Sequence, residues 1–204
     1  MKDFWNQRYA EAEFAYGETP NHFFKNEIDK IERKGKALFI AEGEGRNAVY
    51  AATKGWEVFA YDWSEEGKKK AMQLAEKLQT SLVYEVGEWD DLNFKNEKFD
   101  LIVFIFAQLP EMERRKIQKA SAQLLQPGGK IILEAYRKEQ LEINSKNPAA
   151  GGPKNLDFLL SKKELEEDFK SLNILALNET TASFEEGKYH RGEGAVVQMI
   201  AVQP

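Results

Sequence analysis

Short apolar segments alternate with longer charged segments from about residue 36 onward. This pattern predicts an α/β fold in which strands and helices alternate along the chain. Five apolar segments have the length and composition of strands: residues 36–41, 56–61, 81–86, 100–106 and 130–136. The fourth is the most continuously apolar, so we expect it at the centre of the sheet with both faces covered. The pattern predicts a doubly wound, Rossmann-like sheet.

The charged segments between these strands predict helices at residues 46–54, 64–78 and 111–125. Ser64 stands where a helix N-cap is expected, because its hydroxyl can accept a hydrogen bond from the first turn. Aromatic and charged residues alternate over residues 4–34, which predicts a helical N-terminal cover. The sequence is thus interpreted as one domain, with a cover at 1–35, a ligand-binding core at 36–136 and closing elements at 137–204.

The alternation of apolar and charged segments ends after residue 136. Residues 137–160 are rich in Gly and Pro around position 150, which predicts a long loop that covers a site. Ser161 and Glu164 have the spacing of a capping box and predict a short helix. Two further β segments, 171–181 and 194–202, are expected to form an antiparallel pair joined by a turn through Gly187 and Gly192. These segments complete a mostly parallel sheet of seven strands.

Composition excludes several kinds of site and partner. Twenty-nine basic and thirty-four acidic residues give a net charge of −5, which argues against a nucleic-acid partner. The absence of Cys removes disulfides, Cys-type zinc sites and a catalytic thiol, and we expect no metal. The mixed, charged start of the chain and the lack of a long apolar segment predict a cytoplasmic protein without a signal peptide or membrane anchor.

The strongest chemical motif is a glycine turn that follows the first predicted strand. Gly43 and Gly45 let the backbone approach a ligand closely, and the helix after them presents N–H groups to an anionic group. Asp62 lies at the end of the next strand, where a carboxylate can accept hydrogen bonds from both ribose hydroxyls. The combination predicts a ligand that contains adenosine. It also satisfies the loose dinucleotide pattern, with Ala48 in the third place.

The remaining motifs distinguish between these ligands. The third strand ends in Gly-Glu-Trp-Asp-Asp-Leu at 87–92, and Pro-Gly-Gly-Lys at 127–130 leads into the fifth. This succession resembles the class I S-adenosylmethionine-dependent methyltransferases. Gly-Glu-Gly-Arg-Asn at 43–47, together with Trp5, Arg8, Tyr9 and Tyr16-Gly17, is similar to their tellurite-resistance and thiopurine-type small-molecule branch. The resemblance covers nearly the whole chain and implies S-adenosyl-L-methionine as cofactor and a small-molecule methyl acceptor.

The resemblance also implies which residues contact the cofactor. Residues 42–47 would surround its methionine portion, Asp62 the ribose, and the side chains after the second and third strands the adenine. The implied contacts are Glu42, Gly43, Gly45, Arg46, Asn47, Asp62, Trp63, Glu88, Trp89 and Phe104. Trp63 and Trp89 have an equally good interpretation as core residues. Phe104, with Ile105 and Phe106, would line the space beside the sulfonium methyl.

The sequence departs from the family pattern in the first strand. Such families commonly have an acid where this chain has Phe39 and a glycine where it has Ala41. Glu42 could replace the missing acid, although it leaves the strand in a different direction.

The catalytic residues stay open at this stage. Methyl transfer from a sulfonium needs mainly alignment and exclusion of water, so a base is not required. The candidates are His190, Arg191 and Tyr16, with His22 as the other histidine. His190 is expected on the surface of a hairpin. Two alternatives to a methyltransferase remain, a nucleotide-dependent oxidoreductase and a non-catalytic adenosyl-binding module.

Overall fold

The computed structural model describes residues 2–204, and these form a seven-stranded sheet with helices on both faces. The strands are β1 (Lys36–Ile40), β2 (Glu57–Asp62), β3 (Val83–Val86), β4 (Phe99–Ile105), β5 (Leu125–Tyr136), β6 (Asn173–Glu186) and β7 (His190–Val202). The helices are α1 (Lys2–Tyr9), α2 (His22–Ile28), α3 (Arg46–Thr53), α4 (Glu65–Lys77), α5 (Glu111–Ala122), α6 (Gln140–Lys146) and α7 (Lys162–Asp168).

The strand order is β3-β2-β1-β4-β5-β7-β6. Strands β1 to β5 are parallel, and β7 runs antiparallel to both of its neighbours. The chain leaves β1 towards β2 on one side and returns at β4 on the other. The carboxyl ends of β1 and β4 therefore form a switch point, the edge at which open α/β sheets bind their ligands.

The expected doubly wound, Rossmann-like sheet of seven mostly parallel strands, with its C-terminal antiparallel pair, is confirmed. β4 is buried along both faces, as its continuous apolar character predicts. The two predicted caps are also present. The Ser64 hydroxyl accepts a hydrogen bond from the Gly67 N–H, and Ser161 and Glu164 form a reciprocal capping box.

The prediction of an irregular loop over residues 137–160 is wrong in part, because α6 lies inside it. Tertiary contacts hold this helix. The Gln140 side-chain amide donates to the Gly151 carbonyl, and its oxygen accepts from the Ala195 N–H of β7 at 2.7 Å. Gln140 is fully buried. Such long-range hydrogen bonds leave no local pattern in the sequence.

The C-terminal hairpin is longer and tighter than the sequence predicts. β6 reaches Glu186 and β7 starts at His190, so the turn contains Gly187 but not Gly192. Gly192 instead pairs with Phe184 inside the ladder. The charged residues of this segment led the sequence pattern to predict a turn. In the structure they pair across the two strands, for example Glu185 with Arg191. The extension moves His190 from a loop into the sheet.

A buried ion pair joins α5 to α7. The Arg114 guanidinium is 1% exposed and donates to Asp168 over 2.9 Å, with Glu164 at 3.5 Å. A buried charge is costly when its partner is removed, because the remaining ion has lost its water without compensation.

We therefore expect Asp168→Ala to destabilise the protein by about 3–5 kcal/mol, measured by denaturant unfolding. Glu167→Ala removes the neighbouring, exposed acid and is the matched control, expected to cost less than about 1 kcal/mol. Equal stability of the two variants would show that the buried pair contributes little.

Candidate active site

A small cavity lies at the switch point, between the carboxyl ends of β1 and β4. Its volume is about 40 Å³, room for a few water molecules. Its walls come from the N-terminal cover, the glycine turn, the end of β4 and the start of β7: Trp5, Tyr9, Tyr16, Ala41, Glu42, Arg46, Asn47, Ile105, Phe106, Gln108 and His190. The structure thus brings together segments from the whole length of the chain.

The backbone of the glycine turn is held by two buried side chains. Gly43 has φ +62°, a conformation that favours glycine, and its N–H donates to an Asp62 carboxylate oxygen over 3.0 Å. Its carbonyl accepts a hydrogen bond from the Tyr84 hydroxyl at 2.6 Å. The sequence anticipated the close approach at Gly43 but not its partners.

Glu42 caps the helix that follows the turn. One of its oxygens accepts from the N–H groups of Asn47 and Ala48, at 2.9 and 2.8 Å. The expectation that these N–H groups face an anionic ligand is therefore wrong, because a carboxylate of the chain already occupies them. Burial raises the pKa of Glu42 to about 7, although these two hydrogen bonds and Arg46 oppose the shift.

Gly45 is needed for packing between helices. It has φ +85°, and a Cβ atom there would stand 2.5 Å from the Cβ of Ala71 in α4. On the side where its Cβ atom would point, Gly45 is approached closely by helix α4. Gly45 brings α4 against the glycine turn rather than contacting the cavity.

Asp62 lies at the end of β2, as the sequence predicts, and is 6% exposed. Besides the Gly43 N–H, it accepts from the Ser64 N–H over 3.0 Å, so both carboxylate oxygens hold backbone. Burial raises the pKa of Asp62 to about 6 despite these bonds. Asp62 therefore fixes the glycine turn relative to the end of β2.

The residues expected around adenine are divided between surface and core. Glu88 is exposed and accepts a hydrogen bond from the indole N–H of Trp63 over 3.1 Å. Trp89 is 4% exposed and packs against Tyr61 and Phe94. The structure supports the core interpretation for both tryptophan side chains, since Trp63 is 8% exposed and belongs to the same apolar cluster as Trp89. The Trp63 indole also reaches Glu88 at the strand ends.

Phe104 points away from the cavity. It is buried against Phe169, with ring centroids 6.1 Å apart, on the sheet face covered by α5 and α7. The expectation that it lies beside the reacting methyl is therefore wrong, because successive residues of a strand face opposite sides. Its neighbours Ile105 and Phe106 do line the cavity.

Two cavity residues other than glycine have left-handed backbone. Ala41 has φ +52° and Phe106 has φ +51°, and each directly follows a central strand. Such conformations cost about 1–3 kcal/mol and are found where a site demands them. Ala41 occupies the position where the family pattern has glycine, so this chain retains the turn and accepts the strain.

Helix α1, part of the predicted N-terminal cover, lies over the glycine turn, a contact that the sequence did not predict. The Tyr9 ring lies against Gly43, so that a Cβ atom at Gly43 would be 2.5 Å from the Tyr9 hydroxyl oxygen. The Asn6 side chain accepts a hydrogen bond from the Ser64 hydroxyl at 2.7 Å, and Trp5 stacks on Tyr9. The aromatic residues of the cover are therefore part of the site.

A buried charged cluster forms the opposite wall. Arg46 donates to Glu186 over 2.8 Å and to the Tyr16 carbonyl over 3.2 Å. His190 is 2% exposed, so its expected surface position is wrong, and its Nδ1 atom lies 3.1 Å from Glu186. The other catalytic candidates separate: Tyr16 lines the cavity, whereas Arg191 is exposed and donates to the Gly187 carbonyl.

The charges of this cluster shift its pKa values. The His190 and Arg46 partners hold the pKa of Glu186 at about 2, so this carboxylate is ionised at neutral pH. Burial lowers the pKa of His190 below its ordinary value of 6.5, against the attraction of Glu186. The cluster therefore contains an ionised acid beside a neutral imidazole.

Sequence reasoning did not identify Glu186, Gln108 or the buried Glu134. Glu134 is 1% exposed, accepts hydrogen bonds from Asn21 and Gln198, and has a pKa raised by burial to about 7. The one available signal was an acid inside an otherwise apolar strand. Glu186 had none, because only the hairpin register places it opposite His190.

A second, larger cavity adjoins the first. Its volume is about 340 Å³ and it has mostly apolar walls, which are Phe4, Trp5, Gln108, Pro153, Lys154, Asn155 and Phe158. Trp5 and Gln108 belong to both cavities, so these two side chains separate them.

Comparisons with known proteins agree with this architecture. Residues 37–129 match the family model of a methyltransferase domain. TehB from Haemophilus influenzae is 18% identical, with a TM-score of 0.70 over 100% of this chain and 67% of that one. NodS, an N-methyltransferase from Bradyrhizobium japonicum solved with S-adenosyl-L-homocysteine, is 12% identical, with a TM-score of 0.70 over 100% and 98%.

A third structure comes from work on the conversion of a disulfide bond into a thioacetal group during echinomycin biosynthesis. It is 16% identical, with a TM-score of 0.78 over 100% of this chain and 92% of that one. The sequence has no significant match among curated proteins. Within residues 2–204, no helix is both long and apolar enough to cross a membrane. Residues 37–129 thus match a methyltransferase domain, and the chain has the fold of the class I S-adenosylmethionine-dependent methyltransferases.

Proposed function

We propose that this protein binds S-adenosyl-L-methionine at the switch point and transfers its methyl group to a small-molecule acceptor. The observation that carries the proposal is the placement of the methyltransferase motifs. The glycine turn, Glu42 and Asp62 meet at the carboxyl ends of β1 and β2, and the cavity continues from there to the end of β4. The bound cofactor supplies an electrophilic methyl group on a positively charged sulfur.

The side chains at this edge fit the chemical groups of such a cofactor. Glu42 lines the cavity and can pair with the amino group of the methionine portion. Asp62 stands at the end of β2, next to the turn, where its carboxylate can accept hydrogen bonds from the ribose hydroxyls. Trp63 offers a ring face for adenine, and Glu88 offers a hydrogen-bond acceptor. Arg46 and Asn47, in the first turn of α3, line the cavity beside the methionine portion.

Helix α1 must move for the cofactor to enter. The cavity of about 40 Å³ is far smaller than the roughly 300–1,000 Å³ of typical ligand pockets. The Tyr9 ring occupies the space against Gly43, and α1 is joined to the edge through the Asn6 and Ser64 side chains. A shift of this short terminal helix would merge both cavities and bring Trp5 and Tyr9 over a bound cofactor.

The second cavity supports a small-molecule acceptor. Its volume of about 340 Å³ suits a compact, largely apolar molecule, and it opens beside the end of β4. The net charge of −5 argues against a nucleic-acid acceptor.

A ligand panel tests the proposal. Thermal shift and calorimetry would compare S-adenosylmethionine, S-adenosylhomocysteine, NADH and NADPH, since a ligand that binds the folded state raises its melting temperature. We expect stabilisation by the two adenosyl ligands alone. Stabilisation by a nicotinamide cofactor would favour an oxidoreductase. Adenosyl binding without methyl transfer to any acceptor would favour a binding module.

Glu42→Gln separates the cofactor role of this carboxylate from its capping role. The amide oxygen can still accept from Asn47 and Ala48, but the charge is lost, so we expect affinity for S-adenosylhomocysteine at pH 8 to fall at least tenfold. The exposed Glu76→Gln is the control. Unchanged affinity would limit Glu42 to capping.

The same variant has a predicted pH signature in stability. Because the pKa of Glu42 is raised to about 7 in the folded protein, its contribution to stability is full below about pH 4.5 and is lost as the pH rises through 7. Glu42→Gln should therefore be at least as stable as wild type at pH 8, with a smaller difference at pH 5. Thermal unfolding at both pH values measures this.

A further inference from the structure

His190 and Glu186 form a buried pair whose geometry is that of an oriented base. The Nδ1 atom of His190 lies 3.1 Å from a Glu186 oxygen, and Arg46 holds the same carboxylate over 2.8 Å. A carboxylate can only accept, so a neutral His190 carries its proton on Nδ1 and leaves the lone pair on Nε2.

The second ring nitrogen is available to the cavity. Within residues 2–204, no group forms a hydrogen bond with the Nε2 atom of His190, although the residue is 2% exposed and lines the cavity. Aromatic rings surround the imidazole, with Tyr16 at 4.5 Å and Phe106 at 4.9 Å between centroids. Phe106 follows β4, the strand beside which both cavities open.

The loop after α6 packs against the Cδ2 edge of the imidazole. A Cβ atom at Gly151 would stand 2.7 Å from the Cδ2 atom of His190, so the loop packs directly on the ring. Gln140 holds the Gly151 carbonyl over 2.9 Å. Neither the acid nor the loop leaves His190 free to rotate.

We propose that His190, oriented by Glu186, is the general base that takes a proton from the methyl acceptor. This inference rests on the proposed function. In the step, the acceptor oxygen or nitrogen forms a bond to the methyl carbon while its proton passes to Nε2 of His190. The carbon–sulfur bond breaks with its electron pair on sulfur, which gives neutral S-adenosylhomocysteine. Glu186 stabilises the imidazolium that results, and the proton then leaves to water.

The proposal defines the substrate class. An acceptor that reacts as a thiolate has already lost its proton and gains nothing from a base. A built base therefore points to a protonated nucleophile, an O–H or N–H group on a compact, largely apolar molecule. Phenol and thiophenol are matched probes, because they differ mainly in the nucleophilic atom.

The surroundings of His190 set the pH dependence. Glu186 of β6 favours the imidazolium, whereas Arg46 of α3, Arg8 of α1 and burial disfavour it, and the hydroxyl-bearing rings that face it are Tyr16 and Tyr136. The pKa of His190 lies below 6.5. The rate of phenol methylation should fall only as the pH is lowered below 6.5 and through the depressed pKa of His190, because protonation removes the lone pair.

Nitrogen NMR of histidine-labelled protein with S-adenosylhomocysteine tests the base without an acceptor. The chain has two histidines, and the exposed His22→Gln assigns their signals. We expect His190 to be neutral at pH 7 with its proton on Nδ1. In Glu186→Gln, the amide oxygen can still accept from Arg46 and from Nδ1–H, but the negative charge is lost, so the proton should stay on Nδ1 and the pKa of His190 should fall further. A proton on Nε2 in wild type, or an imidazolium at pH 7, would overturn the proposal.

Methylation of the two probes completes the test. Measured as release of S-adenosylhomocysteine at pH 8, His190→Gln should slow phenol methylation at least 100-fold and thiophenol methylation less than threefold, with His22→Gln unchanged on both. Equal losses on both probes, or wild-type protein that methylates thiophenol but not phenol, would contradict it. Calorimetry separates a failure of the proposed function from a failure of the proposed base. If wild-type protein does not bind S-adenosylhomocysteine, the proposed function itself is refuted.

Discussion

Asp62→Ala is expected to lower the affinity for S-adenosylhomocysteine at least 100-fold. The ribose hydroxyls would lose a charged acceptor for two hydrogen bonds, each worth about 1.5–3 kcal/mol. The Gly43 and Ser64 N–H groups would also lose the oxygens that fix the turn. Calorimetry measures the affinity, and thermal unfolding shows the accompanying loss of stability.

Two controls separate these effects. Asp91→Ala removes an exposed acid near the same edge and should leave affinity unchanged. Asp62→Asn keeps one acceptor oxygen, so its affinity should lie between those of wild type and Asp62→Ala. A folded Asp62→Ala protein that binds as tightly as wild type would show that Asp62 only positions the turn.

Gly45→Val is expected to destabilise the whole domain by about 3–5 kcal/mol. The branched side chain would have to adopt φ +85° and would collide with the Cβ and Cα atoms of Ala71, at 2.5 and 2.9 Å from its Cβ. Helix α4 would have to move away from the glycine turn. Denaturant unfolding measures the loss, and any loss of ligand binding should follow from it.

Gly55→Val is the matched control for Gly45→Val. Gly55 has φ +88°, but a Cβ atom there meets no atom within 4 Å, so this variant reports the backbone strain alone. The difference between the two variants is the cost of the collision. Adding Ala71→Gly to Gly45→Ala should recover part of the loss. Equal destabilisation by Gly45→Val and Gly55→Val would refute the packing role of Ala71.

Local signals determined the core of the fold. The alternation of apolar and charged segments placed β1 to β4, α3 and α4 within about two residues, because burial and the periodicity of helices and strands act over neighbouring positions. It placed the start of β5 five residues too late and extended α5 three residues too far. The caps at Ser64 and Ser161 followed from side chains that bond within one turn. The glycine turn and Asp62 were found for the same reason, since the strand and turn place them directly.

The charged hairpin shows where local signals fail. Residues 182–193 are polar and contain two glycines, so they read as a turn, yet β6 and β7 pair through most of them. Pairing along the edge of a sheet satisfies the backbone whatever the polarity of the exposed side chains. α6 was missed for a related reason, because the Gln140 side chain that holds it bonds across the fold.

The sequence by itself determined the class of fold and the positions of Glu42 and Asp62 at the ends of β1 and β2, since each depends on residues close together in the chain. Only the tertiary structure decided which side chains share a cavity. It placed Tyr9 on Gly43, Ala71 against Gly45 and Phe104 in the core. It also brought His190 to Glu186 and Arg46, a residue 140 positions away from Glu186. Contacts of this kind depend on how elements cross, and neither residue carries a local sign of its partner.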